Sequence, residues 1–465
     1  MNMINVRRLA VMTFLGAGML SDISAQDFSL QADTLNEARL PAQWDLQSCI
    51  DYALEQNITI RKNRVTAEST QIDVKTAKAA LFPSLSFSTS QQVLNRPYQE
   101  TSSRVSGSEI ISSNSKTSYN GNYGLNASWT IYNGSKRLKT LKQERLNNQV
   151  AELDVATSEN TIKESIAQIY IQILYAAESV RVNENTLQVS IAQRDRGQEL
   201  LNAGSIAKSD LAQLEAQVST DRYQLVTAQA TLQDYKLQLK QLLELDGENE
   251  MNVYLPKLSD ENVLAPLPAK KDVYVSALAI RPEIEASKLN VEASELGIDI
   301  AKSSYFPTIS LSAGIGTNHT SGSDFTFGEQ VKNGWNNSIG LSVSVPIFNN
   351  RQTKSAVQKA KLQRETNMLS LLDEQKALYK TIESLWLDAN SAQQRYAAAN
   401  EKLRSTQISY DLISEQFNLG MKNTVELLTE KNNLLQAQQE QLQAKYMAIL
   451  NTQLLKFYQG DKLTL

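Results

Sequence analysis

The chain has 465 residues, 7% of them aromatic and 21% charged, with 46 Lys and Arg against 50 Asp and Glu for a net charge of −4. A mean hydropathy of −0.36, and no mature run approaching roughly 18 consecutive apolar residues, exclude a bundle of membrane-spanning helices. The slight acidity leaves no basic footprint for nucleic acid, so any membrane span must be made of strands.

At the amino terminus, Arg7-Arg8, the apolar run Leu9 to Leu20, and Ser24-Ala25 before Gln26 read as the three regions of a signal peptide over 1–25. Export follows. The cleavage site carries no Cys for a lipid anchor. Cys49, the only cysteine, forms no intrachain disulfide, so the exported chain must be stabilised by packing and assembly. An N-terminal segment, 26–44, leads into a first repeat over 45–246.

That repeat opens with a helical pattern from about Asp45 to Leu81, stopped by Phe82-Pro83 because the residue before proline is pushed out of the α region. From Ser84 the period changes to two. Strands are predicted at about 83–98 and 118–132, separated by the polar stretch Gln99 to Thr117. In the second strand Tyr119, Tyr123, Leu125, Ala127, Trp129 and Ile131 alternate with Asn120, Asn122, Asn126, Ser128 and Thr130. Ser135 to Asn202 contains no proline and reads as one helix of roughly 100 Å. Its apolar residues Ile162, Ile166, Ile169 and Ile173, then Val180 and Leu187, follow a heptad seam. Gly204 should end it, glycine reaching the left-handed conformation without penalty. A return helix follows, with Leu211, Leu214, Val218 and Leu225 in heptad register.

A crossover at 247–271, marked by Pro256, Pro266 and Pro268, precedes a second repeat at 272–459 and a tail at 460–465 to which no role is assigned. The second repeat says the same thing again. Phe82-Pro83-Ser84 recurs as Phe306-Pro307-Thr308, shifted by 224, and Ile131-Tyr132-Asn133-Gly134 recurs as Ile347-Phe348-Asn349-Asn350, shifted by 216. Strands are predicted at about 307–319 and 336–348, followed by a second long helix to Asn418 and a second tip at Gly420. Leu378, Ile382 and Leu385 continue the seam, Ile162 and Leu378 being 216 apart.

Four strands per chain cannot close a barrel, and an open sheet in lipid leaves edge N–H and C=O groups unsatisfied. Copies of the chain must supply the rest. A dimer gives eight strands, with an interior normally filled by side chains, whereas a trimer gives twelve and leaves a lumen. The Ser, Thr, Asn and Gly faces would line that lumen as a wide, unselective passage.

The two Phe-Pro transitions, the two strand-end segments, and the tips from Asn202 to Leu211 and from Phe417 to Leu427 together resemble the TolC-like outer-membrane efflux family, over about Asp45 to Tyr458. The resemblance implies a mainly α fold with a membrane β-barrel: duplicated helix, β-hairpin, long helix and return helix. It further implies a homotrimer with one twelve-stranded barrel in outer-membrane lipid, continuous with a twelve-helix periplasmic coiled-coil tunnel of a Gram-negative cell. Its partners would be a periplasmic adaptor and an inner-membrane transporter. The function implied is passive exit for substrates in efflux or type I secretion.

The family's closing residues carry over one by one. Asp210 stands six after the first tip glycine, with Ser209 where the family has Thr. Lys422 stands two after Gly420, and Phe417 three before it, where Tyr is common. Of two acidic constriction positions Glu426 fills the first, but Thr429 stands at the second with Glu430 beside it. The expected closed state pairs Lys422 with Asp210 across neighbouring hairpins, rings the opening with Glu426, and uses Gly204 and Gly420 as tip turns where the adaptor docks.

No enzyme is expected, nor any cofactor or metal. One His and one Cys cannot build an ordinary His/Cys metal site, no nucleophile and base stand together, and Gly314-Ile315-Gly316 lies inside a strand and opens no helix. The competing reading is an exported coiled-coil adaptor or scaffold without a pore. It would satisfy the heptads, but it has no need of strand pairs repeated at the same place in both copies.

Overall fold

The computed structural model describes residues 41–98, 102–106, 109–113, 116–246, 251–256, 263–321, 323 and 325–464, with 102–106 and 109–113 described by backbone alone. The expected signal peptide lies outside these residues, as do most of 26–44 and part of the 247–271 crossover. Residues 41–44 with Asn252–Tyr254 form one small unit. In it Trp44 and Val253 make a parallel bridge, the Trp44 N–H donating to Asn252 O and the Tyr254 N–H to Trp44 O, both at 2.8 Å. The remaining described residues form the second unit.

The second unit opens with α1 (Leu46–Gln56) and α2 (Ile58–Ala79). The sequence reads this segment as one helix, but Asn57 interrupts it: its side chain accepts from the N–H groups of Thr59 and Ile60 and so caps α2. In the second repeat α5 (Lys270–Ile280) and α6 (Pro282–Ser303) break at Arg281, where Pro282 takes the first helical position and needs no N–H partner. Asn57 and Arg281 are 224 apart. Each reaches the end of a return helix. Asn57 Nδ2 donates to Leu242 O at 3.0 Å, while the Arg281 guanidinium lies 3.7 Å from the centre of the Tyr458 ring and donates to Glu164 Oε1 at 2.6 Å. Burial pushes the Glu164 carboxyl above its ordinary value of 4.5, against the pull of Arg281.

Strands β1 (Ser84–Asn95), β4 (Thr117–Asn133), β5 (Thr308–Thr320) and β6 (Asn336–Ser344) form one antiparallel sheet in the order β1-β4-β5-β6. The two repeats therefore meet at its centre. Between β1 and β4 the chain adds β2 (Ser102–Ser106) and β3 (Glu109–Ser113), paired with each other. The polar composition of Gln99 to Thr117 hides this ladder because backbone groups build it. Between β5 and β6 lies α7 (Phe327–Asn333), with Thr326 and Glu329 in a reciprocal capping box. β6 ends at Ser344, short of the expected 348, because Pro346 supplies no N–H to the ladder.

Cross-strand register sorts the side chains by face. Leu85, Ala127, Ala313 and Ile339 stand in one row, and Trp129, Leu311 and Leu341 in another on the same side. The opposite face carries Ser86, Asn126, Gly314 and Ser338 in one row and Ser84, Ser128, Ser312 and Gly340 in the next. One side is thus apolar, the other small, polar and uncharged.

Two left-handed residues precede each long helix: Gly134 and Ser135 before α3 (Lys136–Asn202), and Asn350 and Arg351 before α8 (Gln352–Asn418). Both helices have 67 residues. They return as α4 (Lys208–Leu242) and α9 (Thr424–Gln459). Ile162, Ile166, Ile173 and Leu187 are buried in α3, as are Leu378, Ile382 and Tyr396 in α8, so the heptad residues do form the seams. Gly197, the interior glycine of α3, sits where a Cβ would strike Leu214 of α4; it marks the close approach of those two helices.

Candidate functional site at the hairpin tips

Each long helix ends with the same pair of bonds. After α3, the Gly204 N–H donates to Leu201 O at 2.9 Å and the Ser205 N–H to Leu200 O at 2.8 Å; after α8, Gly420 donates to Phe417 O at 2.9 Å and Met421 to Gln416 O at 2.8 Å. Both glycines have positive φ, 76° and 74°. These are Schellman turns, in which the left-handed glycine lets two orphan carbonyls find donors.

The acids expected at the tips begin the return helices. Asp210 Oδ2 accepts from the Ala207 N–H at 3.0 Å, at the start of α4. Asn423 and Glu426 form a full capping box on α9: Asn423 Oδ1 accepts from the Glu426 N–H at 2.9 Å, and Glu426 Oε2 from the Asn423 N–H at 3.3 Å. Lys422 Nζ donates to Glu426 Oε1 at 2.6 Å. The Lys422 hydrogen bond, then the Asn423 N–H, hold the Glu426 carboxyl below its ordinary value of 4.5. Within one chain, among the described residues, Lys422 therefore sits on Glu426 and not on Asp210. The i,i+4 spacing along one helix start makes that pairing local.

Phe417 is 3% exposed, packed with Leu214 and Leu427 and flanked by Leu200, Tyr410, Ile413 and Leu428. It joins the two hairpins from inside. Ser209 and Thr429 are exposed, the Thr429 hydroxyl donating to Val425 O of its own helix at 2.8 Å.

Sequence reading passed over one cluster. Roughly 10 Å along α9 from its start, Lys431 donates to both Ser190 Oγ of α3 and Asp221 Oδ2 of α4. The Ser190 hydroxyl also donates to Asp221 Oδ2, and Gln217 Nε2 donates to Asp221 Oδ1 at 2.9 Å. Ser190, Asp221 and Lys431 are 2%, 1% and 3% exposed. Burial pushes the Lys431 ammonium below its ordinary value, with Asp221 opposing. The available signal was a gap: Asp221 occupies the heptad seat between Val218 and Leu225.

The sequence profile of the family described as "Outer membrane efflux protein" matches residues 49–244 and 273–460, one block per repeat. The outer membrane efflux protein BepC of Brucella suis is 26% identical over 294 residues, covering 63% of this chain and 61% of that protein. The outer membrane protein TolC of Escherichia coli is 24% identical over 341 residues, covering 70% and 66%. The chain thus spans just under two thirds of the length of these two relatives. A solved structure of CusC superposes with a TM-score of 0.76 at 19% identity, covering 91% of this chain and 94% of that one, which shows the fold. With the profile matched across both repeats, the chain belongs to the outer membrane efflux protein family.

Proposed function

We propose that three copies of the chain pool their four-stranded sheets into one twelve-stranded barrel in the outer membrane, continuous with a periplasmic tunnel of twelve helices. The conduit gives passive exit to substrates that an inner-membrane transporter delivers through a periplasmic adaptor, in efflux or type I secretion. The observation that carries this reading is the sheet. Its apolar face is open in the single chain, with Leu85 70% and Ile339 83% exposed, and its outer strands β1 and β6 each have one hydrogen-bonded neighbour. Lipid would cover that face, and closure with other copies would satisfy those edges. A poreless scaffold would leave both open to water.

At the tips, Glu426 from three subunits forms an acidic ring partly neutralised by Lys422. Asp210 and Ser209 of a neighbouring hairpin supply the alternative partner for that lysine, Phe417 pins the hairpins from within, and Thr429 widens the ring where a second acid is absent. Gly204 and Gly420 present the turns to the adaptor. The reading is tested by extracting membranes with and without detergent, sizing the purified protein, and recording from planar bilayers. Detergent-dependent release, a trimer mass and discrete conductance are expected, with Lys422→Glu raising the conductance. A monomer released by salt alone would overturn the conduit, and unchanged conductance in Lys422→Glu would overturn the gate.

A further inference from the structure

Ser190, Asp221 and Lys431 all occupy core seats of coiled-coil seams. Along α4 the buried seats run Leu211, Leu214, Val218 and Asp221, and along α9 Thr424, Leu427, Lys431 and Leu434. Apolar residues of similar volume would pack such seats at least as stably as a buried ion pair, which gives up two hydration shells. Stability alone therefore does not account for the triad. In coiled coils a polar residue at a seam seat can fix register at a cost in stability.

The polar contacts beside the triad supply little of that. A groove of about 670 Å³ runs between α3, α4 and α9, lined by residues such as Ser179, Asn183, Thr220, Gln224, Asn432 and Gln439. Its bonds are amide and hydroxyl contacts, for example Ser179 Oγ to Gln439 Oε1 at 3.0 Å and Gln217 Nε2 to Asn432 Oδ1 at 3.3 Å. Water or a neighbouring amide can replace each of these, so they hold one register little better than the next.

Repeat symmetry shows that the triad exists once. A shift of 216 places Thr406 at the position of Ser190, Ala437 at that of Asp221, and Glu215 at that of Lys431. Ala437 is fully buried and Glu215 is exposed. Lys431 of the second hairpin therefore finds its carboxylate on the first, and the second hairpin carries no equivalent of that carboxylate. A slip of α9 by one heptad along α4 would set Lys431 against the level of Leu214, burying an ammonium without a counter-charge, or against that of Ala228 in the polar groove, leaving Asp221 buried without its cation.

We propose that Ser190, Asp221 and Lys431 form a register lock: a one-sided buried ion pair that admits a single axial alignment of the second coiled-coil hairpin on the first. It thereby keeps the turns at Gly204 and Gly420 level with each other. The lock acts by penalising the slipped alignments, and the tip cluster of Leu214, Phe417 and Leu427 closes only in the aligned one.

The test uses the full-length protein in detergent, with spin labels on Ser205→Cys and Met421→Cys. Labelled subunits are diluted into unlabelled ones so that distances within one chain are read. Cys49 is buried and its thiol is pushed up to about 12, so it stays unlabelled. The parent should give one narrow distance distribution. Lys431→Met should broaden it or add a population displaced by about 10 Å, one heptad at the helical rise. The double variant Asp221→Leu with Lys431→Met removes both charges. It should melt at or above the parent temperature yet keep the broadened distribution, and it carries the test if the single variant fails to fold. A single narrow distribution in the double variant would make the triad ordinary packing and overturn the lock. Spin labels read register whether or not the chain conducts, so failure here is distinct from failure of the channel.

Discussion

Gly134 should tolerate a side chain far less well than Gly204, although both glycines have nearly the same backbone conformation, φ 66° and 76°. Alanine at either position incurs the left-handed penalty of about 1–2 kcal/mol. At Gly204 nothing lies within 4 Å of the new Cβ, whereas at Gly134 it would stand 2.7 Å from Ser303 O and 2.9 Å from Phe306 Cβ. Relieving that contact means moving α6 away from the start of α3. The hydrogen bond from Ser303 Oγ to Gly134 O, at 2.9 Å, would go with it. Overpacking of this kind costs about 1–3 kcal/mol, and the lost bond about 0.5–1.5 kcal/mol. Gly134→Ala should therefore cost about 3–6 kcal/mol in all, against about 1–2 kcal/mol for Gly204→Ala.

Amide hydrogen exchange resolves the two places separately, because local openings report local stability. Peptides covering 126–140 in Gly134→Ala should exchange at least about 10-fold faster relative to parent than peptides covering 198–212 do in Gly204→Ala. Gly134→Asn separates the two causes. Asparagine accepts the left-handed conformation, as Asn350 does at φ 50° in the second repeat, but it keeps the clashing Cβ. It should recover little of the loss. Equal acceleration at the two sites, or full recovery in Gly134→Asn, would refute the assignment of the cost to the Ser303 and Phe306 contact.

Leu427→Ala should remove about 2–5 kcal/mol from the tip, since Leu427 is fully buried between Leu214 and Phe417; exchange of the 413–430 amides is the readout. Two glutamates should titrate with opposite sign, observed as carboxyl carbon shifts by NMR. Glu426 lies below its ordinary 4.5, so its support for the α9 cap is present above that value and is lost as pH falls through the folded midpoint. Glu164 lies above 4.5, so its contribution is full below that value and is lost as pH rises through its folded midpoint. Under the proposed barrel, Ile339→Lys should destabilise the sheet by about 2–4 kcal/mol, seen as loss of the trimer on sizing in detergent. Ser338→Lys, on the face that the proposed barrel turns inward, should leave the trimer intact and change ion selectivity.

Much of the architecture was legible because its signals are local. Proline at 83 and 307 removes a donor and restricts the preceding residue, alternation of period two marks a half-buried strand, and glycine at 204 and 420 ends a helix in one stereotyped way. What stayed hidden depends on partners distant in sequence. Nothing near Asn57 announces that its amide will bond Leu242, and nothing near Phe417 says that Leu214 will bury it. The triad was missed because a heptad search looks for apolar residues and steps over polar ones. Asp221 was skipped between the seats of Val218 and Leu225, whose spacing required a residue there.

The open features of the chain occur in matched pairs. Edge strand β1 follows α2, whose Ile58, Val65 and Ile72 stand seven apart and largely exposed; edge strand β6 precedes α8, whose Leu362 and Leu369 do the same. Each sheet edge thus continues along the chain into an uncovered apolar stripe on a helix. Such stripes are half of a coiled-coil seam and stay wet until another helix covers them. β1 and α2 present one surface, and β6 and α8 present a different one. A contact between them is heterologous, which closes into a ring when the rotation allows and otherwise runs on as a filament. Under the proposed trimer a single kind of subunit contact would satisfy the strand edges and the helix stripes together. The same contact would bring the apolar faces of successive sheets into one continuous outer band, leaving the Ser, Asn and Gly rows to face inward. Barrel and tunnel would then be two stretches of one interface, set by the order in which the chain alternates between helix and strand.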